Sequence, residues 1–163
     1  MIVICDTSPL NYLILIDHIE IVPKLMTDVV APPQVLAELQ RTGAADRVRA
    51  WAAQPPAWLQ VRAPMEIAPD LALHIGESAA ISLALELKPA HSVQLLMDER
   101  MGRRVARSLG LPTLGTLAVL RDAARGGLID IETAISRLRQ TRFRATEQLY
   151  EQLRQSVRRE KDT

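Results

Sequence analysis

Four acidic residues stand where a carboxylate is hard to keep charged. Asp6 ends the apolar run IVIC near the N-terminus, and Asp98 ends the run VQLLM. Glu38 lies within VLAEL and Glu77 within HIGESAAI, both amid apolar neighbours. A buried carboxylate is expensive unless it is paired or bound to a metal. Two carboxylates about 4 Å apart repel by roughly 4 kcal/mol at an effective dielectric near 20. If the four converge, they cannot all stay ionised without a cation. Oxygen-only ligation suits Mg²⁺ or Mn²⁺ rather than Zn²⁺. Such ions activate water and hold a phosphodiester for in-line attack. Taken singly, each acid has a bland reading as a strand-end Asp or an ordinary helix Glu. The combination is what points to chemistry. Glu99, beside Asp98, is either a fifth member or the first-turn acid that a helix N-terminus favours.

Arg100, Arg103, Arg104 and Arg107 fall at i, i+3, i+4 and i+7 and form one basic stripe. The stripe is either a solvated helix face or a ridge that tracks phosphates at the lip of the acidic site. Charge is divided along the chain: residues 1–99 carry a net −6 and residues 100–163 a net +7. An acidic pocket beside a positive surface follows from that division. Arg outnumbers Lys by 17 to 3, which suits bidentate phosphate contacts and equally fits a genome bias. Aromatics are only 3%, so phosphates rather than stacked bases must carry most nucleic-acid binding. His18, His74 and His91 are scattered.

The elements that must position these groups alternate. Strands are predicted over the run from Met1 to Cys5 and at Val29–Ala31, Leu59–Arg62, Val93–Met97 and Pro112–Leu114. A helix follows Ser8 as cap and Pro9 as first residue. Further helices are predicted over 18–26, 33–40, 44–54, 70–87, 99–109, from Gly115 to Gly126, 131–140 and 146–159. Gly76 inside the helix over 70–87 costs roughly 1 kcal/mol against Ala, which implies a close approach there. The alternation implies a parallel sheet covered on both faces. No repeat or long linker divides the chain, so residues 1–163 are expected to form one domain. With 48% apolar and 24% charged residues and no run of eighteen apolar residues, a disordered tail and a spanning helix are excluded. The start MIVICDTSP is not a secretion signal. The lone Cys5 excludes an internal disulfide and a multi-cysteine metal site, and it suggests a reducing, cytoplasmic setting.

The segments VICDTSPLNYL, VVAPPQVLAEL, IGESAAISLAL, LLMDERMGRRVARSLGL, TLGTLAVLRDAARGGLI and FRATEQLYEQLRQ, in this order, resemble the PIN-domain ribonucleases. The likeness is greatest to a subgroup described as a domain of unknown function and related to toxin–antitoxin nucleases. It implies a three-layer α/β/α sandwich on a five-stranded parallel sheet and metal-dependent hydrolysis of RNA phosphodiesters. It implies Asp6, Glu38, Glu77 and Asp98 as catalytic acids, with Ser8 beside the first. On this reading Asp6, Glu77 and Asp98 hold Mg²⁺ or Mn²⁺, and Glu38 completes the shell or orients the attacking water. Arg100, Arg103, Arg104 and Arg107 hold substrate phosphates. Glu77 and Glu99 stand where many relatives have Asp. The expected partners are RNA and a cognate antitoxin protein, with a homodimer as an option and no membrane. The alternative is a PIN-like nucleic-acid-binding or regulatory module that kept the acids and lost catalysis. A receiver-type domain is disfavoured because Lys24, Lys88 and Lys161 are misplaced for a phosphoryl group. A phosphatase with an aspartate nucleophile is disfavoured because position 8 is Ser.

Overall fold

Short apolar runs that lack polar alternation become strands buried on both faces. The computed structural model describes residues 1–158. Its strands are β1 (Ile2–Cys5), β2 (Asp28–Ala31), β3 (Leu59–Val61), β4 (Val93–Leu96) and β5 (Thr113–Leu114). They form one parallel sheet in the order β3-β2-β1-β4-β5. Ile4 of β1 pairs with Val30 on one side and with Leu95 on the other.

Successive side chains of a strand point to opposite faces, and the core divides accordingly. Val3, Cys5 and Leu96 join one apolar cluster with side chains of α1 (Thr7–Leu15), α3 (Pro33–Leu39), α4 (Asp46–Ala53), α7 (Thr116–Arg125), α8 (Ile131–Arg139) and α9 (Glu147–Arg158). The short α2 (Val22–Leu25) adds Val22. Ile4, Leu95 and Met97 join the opposite cluster with α5 (Ile75–Leu87) and Ala106 of α6 (Arg100–Ser108). The result is the expected three-layer α/β/α sandwich.

The strand order reverses direction between β1 and β4. Ligands of open parallel sheets bind outside the carboxyl ends of the strands at such a switch point. Asp6 follows β1 there and Asp98 lies just after β4.

Three local expectations need correction. The first helix is capped by Asp6 rather than Ser8, and Ser8 is its second residue. The segment over 18–26 splits into a 3-10 turn at Ile19–Ile21 and α2. The helix expected from Asp70 begins only at Ile75: Pro69–Leu71 is a 3-10 turn, and Ala72 has a left-handed backbone with φ 51°. That conformation is costly for a residue with a Cβ, and it stops the turn from running on. Glu77 then closes the new helix start, because its Oε2 accepts the His74 N–H at 3.3 Å. Arg159, the predicted end of the last helix, lies outside the described residues.

Candidate active site

Asp6 is 2% exposed at the mouth of the switch point. Its Oδ1 is buried without a hydrogen-bond partner among the described residues. The next residue serves a neighbouring acid: Thr7 Oγ1 donates to Glu38 Oε2 at 2.6 Å.

Glu38 reaches the site from α3, where it is half-buried. Its Oε1 accepts the Gly76 N–H at 2.9 Å. Gly76 is the second residue of α5, so this N–H belongs to the first turn, where donors have no intrahelical partner. A Cβ at position 76 would lie 2.8 Å from the Glu38 carboxyl carbon. The close approach expected of this glycine is therefore to a carboxylate. Arg41, one turn beyond Glu38, comes within 3.8 Å of Oε1.

Glu77 is 6% exposed, and its Oε1 is buried without a partner. A second glycine makes room for it. A Cβ on Gly102 of α6 would stand 2.5 Å from Glu77 Oε1 and 2.7 Å from Met97 Sδ. Asp98 is held from α7: Oδ1 accepts the Thr116 N–H at 2.8 Å and Oδ2 accepts the Thr116 hydroxyl at 2.7 Å.

Two cavities open here and share Ser8 and Glu99 as a common wall. The first, about 640 Å³, is lined by Asp6, Thr7, Glu38, Arg41, His74 and Glu77 among others. The second, about 740 Å³, holds Asp98 together with Arg100, Arg103, Arg142 and Arg144. Asp6, Glu38 and Glu77 line the first cavity, and Asp98 lines the second, across Ser8 and Glu99. Glu99 lines both cavities rather than serving only as a helix-start acid. Of the arginine stripe, Arg100 and Arg103 line the second cavity, whereas the exposed Arg104 and Arg107 line neither.

The four acids still sense one another. Burial pushes the Asp6 carboxyl up to about 7; the Thr7 backbone N–H opposes this, and Glu77, Glu38 and Asp98 reinforce it. Burial also raises Glu77, against the His74 N–H and with help from Glu99 and Glu38. Asp98 is raised by burial, and its bonds to Thr116 and the charge of Arg103 pull it back. Burial drives the Cys5 thiol up to about 12, in keeping with a packing role.

Among the described residues, no group of three or more His, Cys, Asp and Glu side chains could hold a metal ion as the side chains stand. Glu38 and Asp98 are each tied to their own donors. The chemistry of the donor set nevertheless fits a hard divalent cation. Asp6 Oδ1 and Glu77 Oε1 are orphaned acceptors, and a buried acceptor without a partner is destabilising. An oxygen-ligated cation supplies what both lack.

The family model described as DUF3368, PIN domain, matches residues 2–159. The chain belongs to the PIN-domain family. No match to it is found among curated proteins or solved structures. PIN domains are generally nucleases that act on RNA and usually use divalent metal ions. No helix among the described residues is long and apolar enough to cross a membrane.

Several site residues escaped the sequence reading. Thr7 and Thr116 orient acids through hydroxyl groups that no spacing rule singles out. His74, one of three scattered histidines in the sequence, lines the acidic cavity as the N-cap of α5. Arg142 and Arg144 carried a legible signal, because they flank Phe143 as a basic pair interleaved with an aromatic in the α8–α9 connection.

Proposed function

We propose that this PIN domain is a divalent-metal-dependent ribonuclease and the toxin component of a toxin–antitoxin pair. The observation that carries the nuclease reading is the buried, partnerless Asp6 Oδ1, at the switch point and under the field of Glu38, Glu77 and Asp98. Asp6 and Glu77, with Asp98, would hold Mg²⁺ or Mn²⁺, whose contribution is Lewis-acid activation of water and charge neutralisation at the phosphodiester.

The remaining work falls to the chain's own groups. Glu38, fixed by Thr7 and the Gly76 N–H, is rigid enough to orient an attacking water and accept its proton. Thr116 holds the Asp98 carboxylate in one rotamer, so it is presented in a fixed direction. Arg100 and Arg103 hold substrate phosphates beside Asp98 and Glu99.

The test is cleavage of RNA with Mn²⁺ or Mg²⁺ against EDTA, for wild type, Asp6→Asn and Asp98→Asn. Loss in EDTA and in both variants supports the assignment. Cleavage that survives both substitutions equally sinks it. For the toxin role, expression should arrest growth, and co-expression of a short neighbouring open reading frame should relieve the arrest. Expression without growth arrest removes that part of the reading.

A further inference from the structure

The second cavity contains more than the Asp98 acid. Tyr12 of α1 and Phe143 of the α8–α9 connection form a ring pair in its wall, with centroids 5.0 Å apart and planes at 86°. Both rings are half-buried, so each keeps surface turned outward. Arg142 and Arg144 flank Phe143, are exposed, and make no ion pair with any described residue. Arg100 and Arg103 of α6 also line the cavity, and Leu117 and Leu149 add apolar wall.

From this geometry we infer that the second cavity is a nucleotide subsite for single-stranded RNA, next to the acidic cavity across Ser8 and Glu99. It takes one unpaired base against the Tyr12–Phe143 corner, and Arg142 and Arg144 grip the flanking phosphates. The inference rests on the nuclease reading for its substrate and extends it to a strand class and a specificity element.

Three observations favour this occupant. The volume, about 740 Å³, lies within the roughly 300–1,000 Å³ of small-ligand sites. Rings combined with guanidinium groups match an unpaired nucleotide, whose base offers a π-face and whose backbone offers phosphates. A base held in a double helix would keep its faces stacked and could not enter. The shared residues Ser8 and Glu99 also put the cavity next to the place where the chain would be cut. An acidic peptide could neutralise the arginines, but it would leave the ring pair unused and would meet Asp98 and Glu99.

The experiment measures binding in EDTA, where cleavage does not run, so its outcome is separate from that of the nuclease test. The probes are a labelled single-stranded RNA decamer, the same sequence as a duplex, UMP, AMP, ribose 5-phosphate and poly-glutamate. The variants are Arg142→Ala/Arg144→Ala and Phe143→Leu, with thermal melts to confirm folding. Each phosphate contact on a single strand contributes about 0.7 to the slope of log K against log salt. The double variant should therefore bind the decamer at least tenfold more weakly and lower the slope by about 1.4. One lost base–aromatic contact is worth about 5- to 150-fold in Kd, so Phe143→Leu should weaken the decamer at least fivefold. UMP or AMP should bind the wild type more tightly than ribose 5-phosphate, and Phe143→Leu should remove that difference.

The subsite is overturned if both variants bind the decamer like wild type, whether or not the enzyme cleaves RNA. It is also overturned if the duplex binds as tightly and weakens equally in Phe143→Leu, which would mean that only backbone is read. Poly-glutamate binding that the arginine substitutions abolish, with decamer binding unchanged, would assign the cavity to a protein partner instead.

Discussion

Asp6→Asn should stabilise the cation-free protein at neutral pH while abolishing its response to metal. The Asp6 carboxyl is raised from its ordinary 3.8 to about 7, first by burial and then by three neighbouring acids. An acid whose pKa is higher in the folded state holds its proton there after the unfolded chain has released it. The folded state therefore loses stability as pH rises from about 4 to about 7. At about 1.4 kcal/mol for each pH unit between the two values, the upper bound of the effect is a little over ~4 kcal/mol. A neutral carboxamide has no charge to desolvate. Asp6→Asn should be more stable than wild type by about 2–4 kcal/mol in EDTA at pH 7.5, or roughly 5–15 °C in Tm for a chain of this size. Near pH 4 the two proteins should melt together.

Urea titrations followed by Trp51 and Trp58 fluorescence, repeated from pH 4 to 8, measure both the difference and its slope. Mn²⁺ at a hundred times its Kd should add about 2.7 kcal/mol to the wild type. It should add almost nothing to Asp6→Asn, so the order of stability narrows or reverses with metal. An Asp6→Asn protein that is no more stable than wild type in EDTA at pH 7.5, with the same pH slope, refutes the claim that Asp6 is strained by burial and like charge.

Gly102→Ala would place a methyl group 2.5 Å from Glu77 Oε1. Displacing that carboxylate by about an ångström should lower single-turnover RNA cleavage about a hundredfold, with an overpacking penalty of about 1–3 kcal/mol in urea unfolding; an unchanged cleavage rate removes Glu77 from the mechanism. Gly76→Ala would ordinarily stabilise a helix by about 0.5–1 kcal/mol. Here a Cβ meets the Glu38 carboxyl, so unfolding should show a loss and cleavage should fall; a gain in stability with full activity contradicts the contact. Thr116→Val keeps shape but removes the hydroxyl bond to Asp98 Oδ2. It should destabilise by about 1.5–3 kcal/mol at pH 7 and by less in acid, where Asp98 is protonated; a pH-independent loss would mean that only packing changed.

The architecture was legible because its signals are local. IVIC and VQLL carry no polar alternation, which only strands buried on both faces tolerate, and each ends in an acid that the parallel topology must deliver to one edge. Glu38 and Glu77 were legible as misplaced charges among apolar neighbours. The start of α5 was not legible: Leu71 keeps helical spacing with Ile75, and nothing in the composition reveals that Ala72 adopts a left-handed backbone. The division of the acids between two cavities was also hidden. Glu99 lines both cavities, and Thr116 captures Asp98 from eighteen residues away, a long-range bond that local sequence does not encode. The Arg142-Phe143-Arg144 segment was readable in type but not in place, since only the packing of α8 and α9 against α1 and α7 brings it to Tyr12.

The two glycines tie the fold to the chemistry. Gly76 and Gly102 lie on different helices, α5 and α6, and each gives up its side chain at a point where a carboxylate passes. Without them, a methyl group would occupy the space that the Glu38 and Glu77 carboxylates now fill. The chain thus admits close carboxylates that destabilise the cation-free state. A divalent ion relieves that repulsion by binding the folded chain alone, because the unfolded chain has no such cluster. Substitution at either glycine should therefore lower metal affinity together with stability, the stability through overpacking. A Gly102→Ala protein that gained Mn²⁺ affinity would break that link.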